Sequence, residues 1–210
     1  MHISVIIPSF NRSHTLARAL DSVVAQSFPA GQIIVVDDGS TDATREVVSR
    51  YPQVDSLRLE ANHGVSFARN TGIRHSTGTW IALLDSDDAW AADKLEKQVA
   101  AIDAFPEYRV FHTDEIWIRN GRRVNPMRKH AKPDGWVYEH SRALCCVSPS
   151  SVLLHRSLFQ ECGNFDENLP ACEDYDLWLR LFSRYPVKLI EEPLVVKYGG
   201  HDDQLSRQHW

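Results

Sequence analysis

Short apolar runs alternate with segments of helical periodicity along the first half of the chain. The apolar runs cover residues 3–8, 32–36 and 80–84, the first of them rich in β-branched side chains, and residues 54–59 alternate between apolar and polar as in a strand. Apolar residues recur at helical spacing in residues 15–26, 41–51, 65–74 and 93–105. This alternation of strands and helices predicts a parallel sheet that is covered by helices on both faces.

The second half has a more mixed pattern. Residues 110–119 predict one or two strands, and Asn120-Gly121 is typical of a hairpin turn. Further strands are predicted at 151–155, 187–190 and 194–198, and helices at 156–162 and 174–184. The chain contains no internal repeat and no low-complexity linker. We therefore expect one α/β domain over residues 1–210 with a continuous, mixed sheet.

Composition narrows the class of protein. The 210 residues are 43% hydrophobic and 24% charged, which is ordinary for a globular domain. The formal net charge of -5 argues against a nucleic-acid partner. No apolar run approaches the ~20 residues of a membrane span, and we read the N-terminus as a first strand rather than a signal peptide. The four cysteines have no C-x-x-C spacing, so we expect reduced thiols in a cytoplasmic protein.

The apolar run at residues 81–84 ends in three carboxylates, Asp85, Asp87 and Asp88. In an extended chain, Asp85 and Asp87 would point the same way and could converge on one point. Carboxylates at the carboxyl end of a buried strand suit Mg²⁺ or Mn²⁺, whose open positions substrate phosphates can fill. Taken alone, an acidic triplet of this kind is more often a solvated turn.

Two further segments also follow a predicted strand and begin a helix. In residues 35–42, Asp38 could accept a hydrogen bond from a nucleobase or a ribose, and Ser40 or Thr41 could cap the next helix. In residues 62–72, Gly64 frees the backbone where helix N–H groups attract anions. Arg69 could reach a phosphate there, or could be an ordinary surface arginine.

Four segments in this order resemble the family 2 nucleotide-sugar glycosyltransferases with the GT-A fold. They are VIIPSFNR at residues 5–12, VVDDGSTD at 35–42, residues 62–72 and LLDSDD at 83–88. The resemblance is strongest over residues 3–100 and resumes at 164–181. It implies a single Rossmann-like sheet, mostly parallel, with helices on both faces. About residues 1–100 would bind the nucleotide sugar, and about 101–210 the acceptor.

The resemblance also implies roles for individual residues. Phe10 would pack against the nucleobase, Asp38 would accept from a uracil-type ring N–H, and Arg69 would lie near the base or phosphates. Asp85 would contact the ribose or the metal shell, and Asp87 would bind Mn²⁺ or Mg²⁺. The complete set of expected donor-binding residues is Pro8, Phe10, Asn11, Asp38, Arg69, Asp85 and Ser86.

The second half supplies the expected catalytic groups. Asp174 shares a predicted helical face with Leu177, Trp178 and Leu181, which would anchor it beside the crevice. In the family that it resembles, the matching aspartate of the Glu-Asp pair is the base, so Asp174 is expected to be catalytic, with Glu173 positioning it. The alternative is that both carboxylates only complement the helix dipole.

Two segments keep more than one interpretation. His201 could be a third metal ligand or could donate to a phosphate, but it could equally be a solvated histidine. The basic stretch between Arg119 and Lys132 holds six Lys or Arg and no acidic residue. It could be a solvated loop, a lid over the donor, or a contact with anionic lipid or a lipid-linked diphosphate.

The expected function is that of an inverting glycosyltransferase. It would move a sugar from a nucleoside diphosphate, UDP being favoured, to a glycan or lipid-linked acceptor in surface polysaccharide synthesis. It would work in the cytoplasm, with peripheral contact at the inner face of the membrane left open. A non-catalytic nucleotide-sugar-binding module is the alternative. A nucleotidyltransferase is disfavoured because Pro8-Ser9-Phe10-Asn11 stands where a glycine-rich triphosphate loop belongs.

Overall fold

The computed structural model describes residues 1–125 and 130–200. Its strands are β1 (Ile3–Ser9), β2 (Gln32–Asp37), β3 (Asp55–Arg58), β4 (Trp80–Leu83), β5 (Ala89–Trp90), β6 (Val110–Arg119), β7 (Arg122–Val124), β8 (Leu153–His155) and β9 (Lys188–Gly199). Its helices are α1 (Leu16–Val24), α2 (Thr44–Val48), α3 (Val65–His75), α4 (Lys94–Ala104), α5 (Tyr138–Ser141), α6 (Ser157–Cys162) and α7 (Glu173–Phe182).

These strands form one sheet in the order β3-β2-β1-β4-β8-β6-β9-β5, with β7 paired to β6. The first four strands are parallel to one another. Strand β8 runs antiparallel to β4 and β6, whereas β9 is parallel to β6. The predicted α/β architecture, a parallel first half and a mixed second half, is confirmed.

Successive side chains of β1 point to opposite faces of the sheet, which explains why a hydrophobic core lies on each face. Val5 and Ile7 point to the face that is covered by α1 and α4, where they join Leu16 and Leu95. Ile6 points to the opposite face and packs with side chains of α3, α6 and α7. Both faces of a central parallel strand are therefore buried, which accounts for its uninterrupted apolar sequence.

The carboxyl ends of β1, β2 and β4 lie at one edge of this sheet, because the three strands are parallel neighbours. The loops after Ser9, Asp37 and Leu83 consequently meet there. Ligands of open α/β sheets bind at this edge. None of the helices in the described ranges has the length and apolarity that crossing a membrane requires.

The predicted cap of the second helix is wrong. Helix α2 begins at Thr44, and Asp42 accepts from the Thr44 backbone N–H at 2.9 Å and from the Ser13 N–H at 3.0 Å. Ser40 instead accepts from the backbone N–H of Asn11 at 2.9 Å. The polar residues before α2 therefore join two loops at the sheet edge instead of extending the helix.

The two predicted closing strands are one continuous strand, β9. The register between β6 and β9 shifts at Asp114, which lies opposite Pro193. Proline has no N–H to donate, so the ladder is irregular there and resumes at Glu115 opposite Val195. The predicted hairpin is confirmed, since Asn120-Gly121 joins β6 to β7 with a positive φ at both residues.

Gly72 allows α3 to approach β1 closely. A Cβ at this position would lie 2.4 Å from the Ile6 Cγ2, in a buried and stiff side chain.

We predict that Gly72→Ala lowers the free energy of unfolding by about 1–3 kcal/mol, because overpacking outweighs the better helix propensity of alanine. Urea denaturation measures this, with His75→Ala on the exposed side of α3 as the control. A Gly72→Ala protein as stable as the unaltered chain would contradict the packing.

Candidate active site

A cavity of about 670 Å³ opens at the carboxyl edge of the sheet. It is bounded by the loops after β1, β2 and β4 and by the first turns of α3 and α7. It brings together the predicted site residues Pro8, Phe10, Asn11, Asp38, Arg69, Asp85, Ser86, Asp87, Glu173 and Asp174. His201 lies outside the described residues.

Asp38 is both buried and hydrogen-bonded. Its carboxylate accepts from the backbone N–H groups of His63 at 2.9 Å and Gly64 at 2.8 Å. Burial raises the pKa of Asp38, and these two hydrogen bonds oppose the rise. The side chain thus fixes the loop before α3 against the end of β2 while it lines the cavity.

Phe10 and Asn11 form one rim of the cavity. Phe10 is 40% exposed, so it is not a core residue at the end of β1. Asn11 has a positive φ, and its side-chain oxygen accepts from the backbone N–H groups of Thr41 at 2.9 Å and Asp42 at 3.3 Å. Asn11 therefore holds the loop after β1 to the loop after β2.

The acidic segment after β4 is a turn, and the extended arrangement that the sequence analysis used to bring Asp85 and Asp87 together is wrong. Strand β4 ends at Leu83, and the backbone N–H of Asp88 donates to the carbonyl of Asp85 at 3.0 Å. The turn still places Asp85 and Asp87 at the cavity. Burial raises the pKa of Asp87, and the charge of Asp85 adds to the rise. The two carboxylates are thus close neighbours because the chain turns.

Arg69 is a buried link between distant parts of the chain. Its guanidinium donates to Asp85 at 2.8 Å and to Glu173, and its side chain is only 4% exposed. The interpretation of Arg69 as an ordinary surface arginine is therefore wrong. The two ion pairs join α3 to the turn after β4 and to the first residue of α7.

Asp174 lies in the first turn of α7, half-buried beside the cavity. Leu177, Trp178 and Leu181 are almost completely buried and anchor the helix in the core. Burial and the charge of Glu173 raise the pKa of Asp174 to about 6, although Arg69 opposes the rise. A carboxylate with this pKa can accept a proton near neutral pH.

Sequence reasoning missed two residues that hold the site together. Asp88 accepts from the Ser150 hydroxyl at 2.6 Å and from the Tyr198 backbone N–H at 3.1 Å. Asn70 exchanges hydrogen bonds with the backbone of Phe165 at 2.9 and 3.1 Å. Polar residues on the buried face of a helix, such as Arg69 and Asn70 in α3, were the available signal.

The predicted Mg²⁺ or Mn²⁺ fits this site only if the protein supplies part of the coordination sphere of the ion. In residues 1–125 and 130–200, no three His, Cys, Asp or Glu side chains are grouped to hold a metal ion. However, Mg²⁺ and Mn²⁺ are often held by one or two carboxylates together with substrate phosphates. Asp87, buried at the cavity with Asp85 beside it, fits that arrangement.

The basic stretch between Arg119 and Lys132 is not a uniform solvated loop. Lys132 is 6% exposed and lies 3.0 Å from the Glu115 carboxylate, so its charge is already paired. Arg119, Arg122 and Arg123 are exposed on the β6–β7 hairpin. Residues 126–129 lie outside the described ranges.

Removing Arg69 would leave Asp85 and Glu173 without their buried partner. We predict that Arg69→Met lowers the free energy of unfolding by about 3–5 kcal/mol. Adding Asp85→Asn and Glu173→Gln to the Arg69→Met protein should restore part of the lost free energy of unfolding, because neutral side chains need no counter-ion. Urea denaturation measures both effects, with Arg74→Met as the control, since its side chain is 50% exposed. Equal stability of Arg69→Met and Arg74→Met would contradict the assigned role.

Comparison with known proteins identifies the family. The sequence model described as Glycosyl transferase family 2 matches residues 4–162. TuaG of Bacillus subtilis, named as a teichuronic acid biosynthesis glycosyltransferase, is 43% identical over 215 residues, covering 99% of this chain and 82% of TuaG. WfgD of Escherichia coli, named as a UDP-Glc:alpha-D-GlcNAc-diphosphoundecaprenol beta-1,3-glucosyltransferase, is 33% identical over 181 residues, covering 85% of this chain and 69% of WfgD.

The fold also matches a solved structure. The crystal structure of S. aureus TarS residues 1–349 superposes with a TM-score of 0.82 at 25% sequence identity, covering 94% of this chain and 60% of that one. Other relatives are longer still, and the chain spans about a third of their length. The sequence motifs, the sheet and the family match agree: the chain belongs to glycosyl transferase family 2.

Proposed function

We propose that this protein is an inverting, metal-dependent glycosyltransferase that moves a sugar from a UDP-sugar to an acceptor hydroxyl in surface polysaccharide or glycan synthesis. The observation that carries the proposal is the cavity at the sheet edge. It is lined by Phe10, Asp38 and Asp87, which lie in the loops after the parallel strands, and by Asp174 on an anchored helix. A donor bound in that cavity would place its anomeric carbon between these loops and Asp174.

The proposed reaction is a single displacement. Asp174 takes the proton from the acceptor hydroxyl as the oxygen attacks the anomeric carbon. The bond between that carbon and the diphosphate oxygen breaks on the opposite face, and its electron pair leaves with the nucleoside diphosphate. The configuration at the carbon is inverted, and no covalent enzyme intermediate forms. Glu173 positions Asp174 through its buried pair with Arg69.

The donor roles follow the cavity lining. Phe10 packs against the base, and Asp38 accepts from its ring N–H while holding the loop at His63 and Gly64. Pro8, Asn11 and Ser86 line the cavity wall. Asp85 contacts the ribose or the metal shell, and Arg69 links Asp85 to Glu173. Asp87, together with His201, would hold a Mn²⁺ or Mg²⁺, which supplies positive charge beside the diphosphate when bound.

The names of the relatives support the substrate classes. WfgD is named for UDP-Glc, for a diphosphoundecaprenol acceptor and for a beta-1,3 linkage. TuaG is named for a polysaccharide pathway. We extend these classes to this chain, with residues 1–100 binding the donor and 101–210 the acceptor.

A cytoplasmic protein with peripheral contact at the inner face of the membrane would suit a lipid-linked acceptor. The exposed Arg119, Arg122 and Arg123 are the side chains of the basic stretch that could meet anionic lipid. The formal net charge of -5 remains an argument against a nucleic-acid partner.

Replacing the base should remove turnover but not binding. We predict that Asp174→Asn slows hydrolysis of the UDP-sugar that the unaltered protein hydrolyses fastest, chosen from a panel, by about 10²–10⁴-fold. UDP release measures the rate, and calorimetry measures UDP affinity, which should stay within about twofold. Asp176→Asn is the matched control, because Asp176 pairs with Arg180 on the same helix outside the cavity. Unchanged hydrolysis by Asp174→Asn would remove Asp174 from the mechanism.

The pH profile should report the raised pKa of Asp174. The base acts when it is deprotonated. We therefore predict that kcat/KM for hydrolysis of the UDP-sugar falls about tenfold per pH unit below about pH 6 and is constant above that pH. Glu173→Gln should move this midpoint down, because the charge of Glu173 helps to raise the pKa. A profile that is flat between pH 5 and 7, or a midpoint that is unchanged in Glu173→Gln, would contradict the assignment.

A further inference from the structure

Lys197 lines the same cavity, although the sequence motifs did not single it out. It lies on β9 beside Tyr198, whose backbone N–H donates to Asp88 at 3.1 Å. Strand β5 pairs antiparallel with β9, with Ala89 opposite Val196, so Lys197 stands opposite Asp88. The fold therefore carries this lysine to the acidic turn that follows β4.

The carboxylates of Asp88, Glu115 and Asp85 act electrostatically on the ammonium of Lys197 from beyond ion-pair distance. Burial would lower the pKa of Lys197, but the charges of Asp88, Glu115 and Asp85 outweigh it and raise the pKa well above its usual value. The side chain is therefore a permanent cation at any pH at which the protein would work. The positive charge of Lys197 in turn lowers the pKa of Asp87, but burial raises that pKa by more.

Two other cations near the cavity, Arg69 and Lys132, are bound to specific partners. Arg69, which the sequence suggested for the phosphates, is held by Asp85 and Glu173. Lys132 lies 3.0 Å from Glu115 and donates to the Cys146 carbonyl at 2.6 Å. By contrast, within residues 1–125 and 130–200 no carboxylate oxygen lies within ion-pair distance of Lys197. Lys197 is thus a cation that faces the cavity without a fixed partner in the described ranges.

We propose that Lys197 binds the diphosphate of the sugar donor beside Asp87. This inference rests on the proposed function and deepens it. The cavity presents several carboxylates, which would repel a diphosphate, and a fixed ammonium offsets part of that repulsion. When the bond to the anomeric carbon breaks, negative charge grows on the departing diphosphate oxygen, and a cation already in place stabilises it without reorganisation. The lysine keeps its proton throughout.

The contact is tested by comparing UDP with uridine, which lacks the diphosphate. Calorimetry on the full chain gives the affinity for each, once with Mn²⁺ and once with EDTA. Lys197→Met should weaken UDP binding about 10-fold or more, as expected for a hydrogen bond between charged groups, and leave uridine binding unchanged. The loss should persist in EDTA, because the lysine charge belongs to the protein. Lys197→Arg should keep most of the UDP affinity.

Lys188→Met is the matched control, because Lys188 lies on the same strand but pairs with Asp134 outside the cavity. It should bind both ligands as the unaltered protein does. Thermal melting without ligand checks that each variant is folded. If Lys197→Met bound UDP normally, or lost UDP and uridine equally, the inference would fail while the proposed function stood. If the unaltered protein bound no UDP, the proposed function and the inference would fall together.

Discussion

The buried ion pairs of Arg69 are the interaction on which the rest of the site depends. One guanidinium joins α3 to the turn after β4 and to the first residue of α7, so that Asp85 and Glu173 are fixed from a single point. The cost of burying Arg69 and Glu173 and of partly burying Asp85 is offset only while all three remain together. The same network sets the charge around Asp174. Structural integrity and the electrostatics of the proposed base therefore share one set of contacts.

Much of this arrangement could be predicted from the sequence. The alternation of apolar runs and helical segments gave the parallel half of the sheet, because buried strands and amphipathic helices have distinct periods. Asp38, Asp85 and Asp87 follow strands that end at one edge, so their shared location needed no knowledge of side-chain packing. Asp174 could be placed because Leu177, Trp178 and Leu181 fix its helical face.

The rest depends on contacts between residues that are far apart in the chain. Arg69 and Glu173 are separated by 104 positions, and Asp88 and Tyr198 by 110. The position of Arg69 on the buried face of α3 indicates that it is buried, but no local pattern identifies its two distant partners. The sequence left both an extended segment and a turn open at residues 85–88, because a single hydrogen bond from the Asp88 N–H to the Asp85 carbonyl decides between them. The position of Lys197 beside the acidic turn depends on the pairing of β9 with β5, which no local pattern predicts.

The most direct test of the central claim is a thermal-shift panel of UDP, GDP, CDP, ADP and dTDP, each with Mn²⁺ and with EDTA. A ligand that binds only the folded protein raises its melting temperature by mass action. The account predicts a shift with UDP that is larger with Mn²⁺ and is lost in Asp38→Ala. A shift with GDP alone would contradict the assignment of the base. No shift with any nucleotide would contradict the donor site itself.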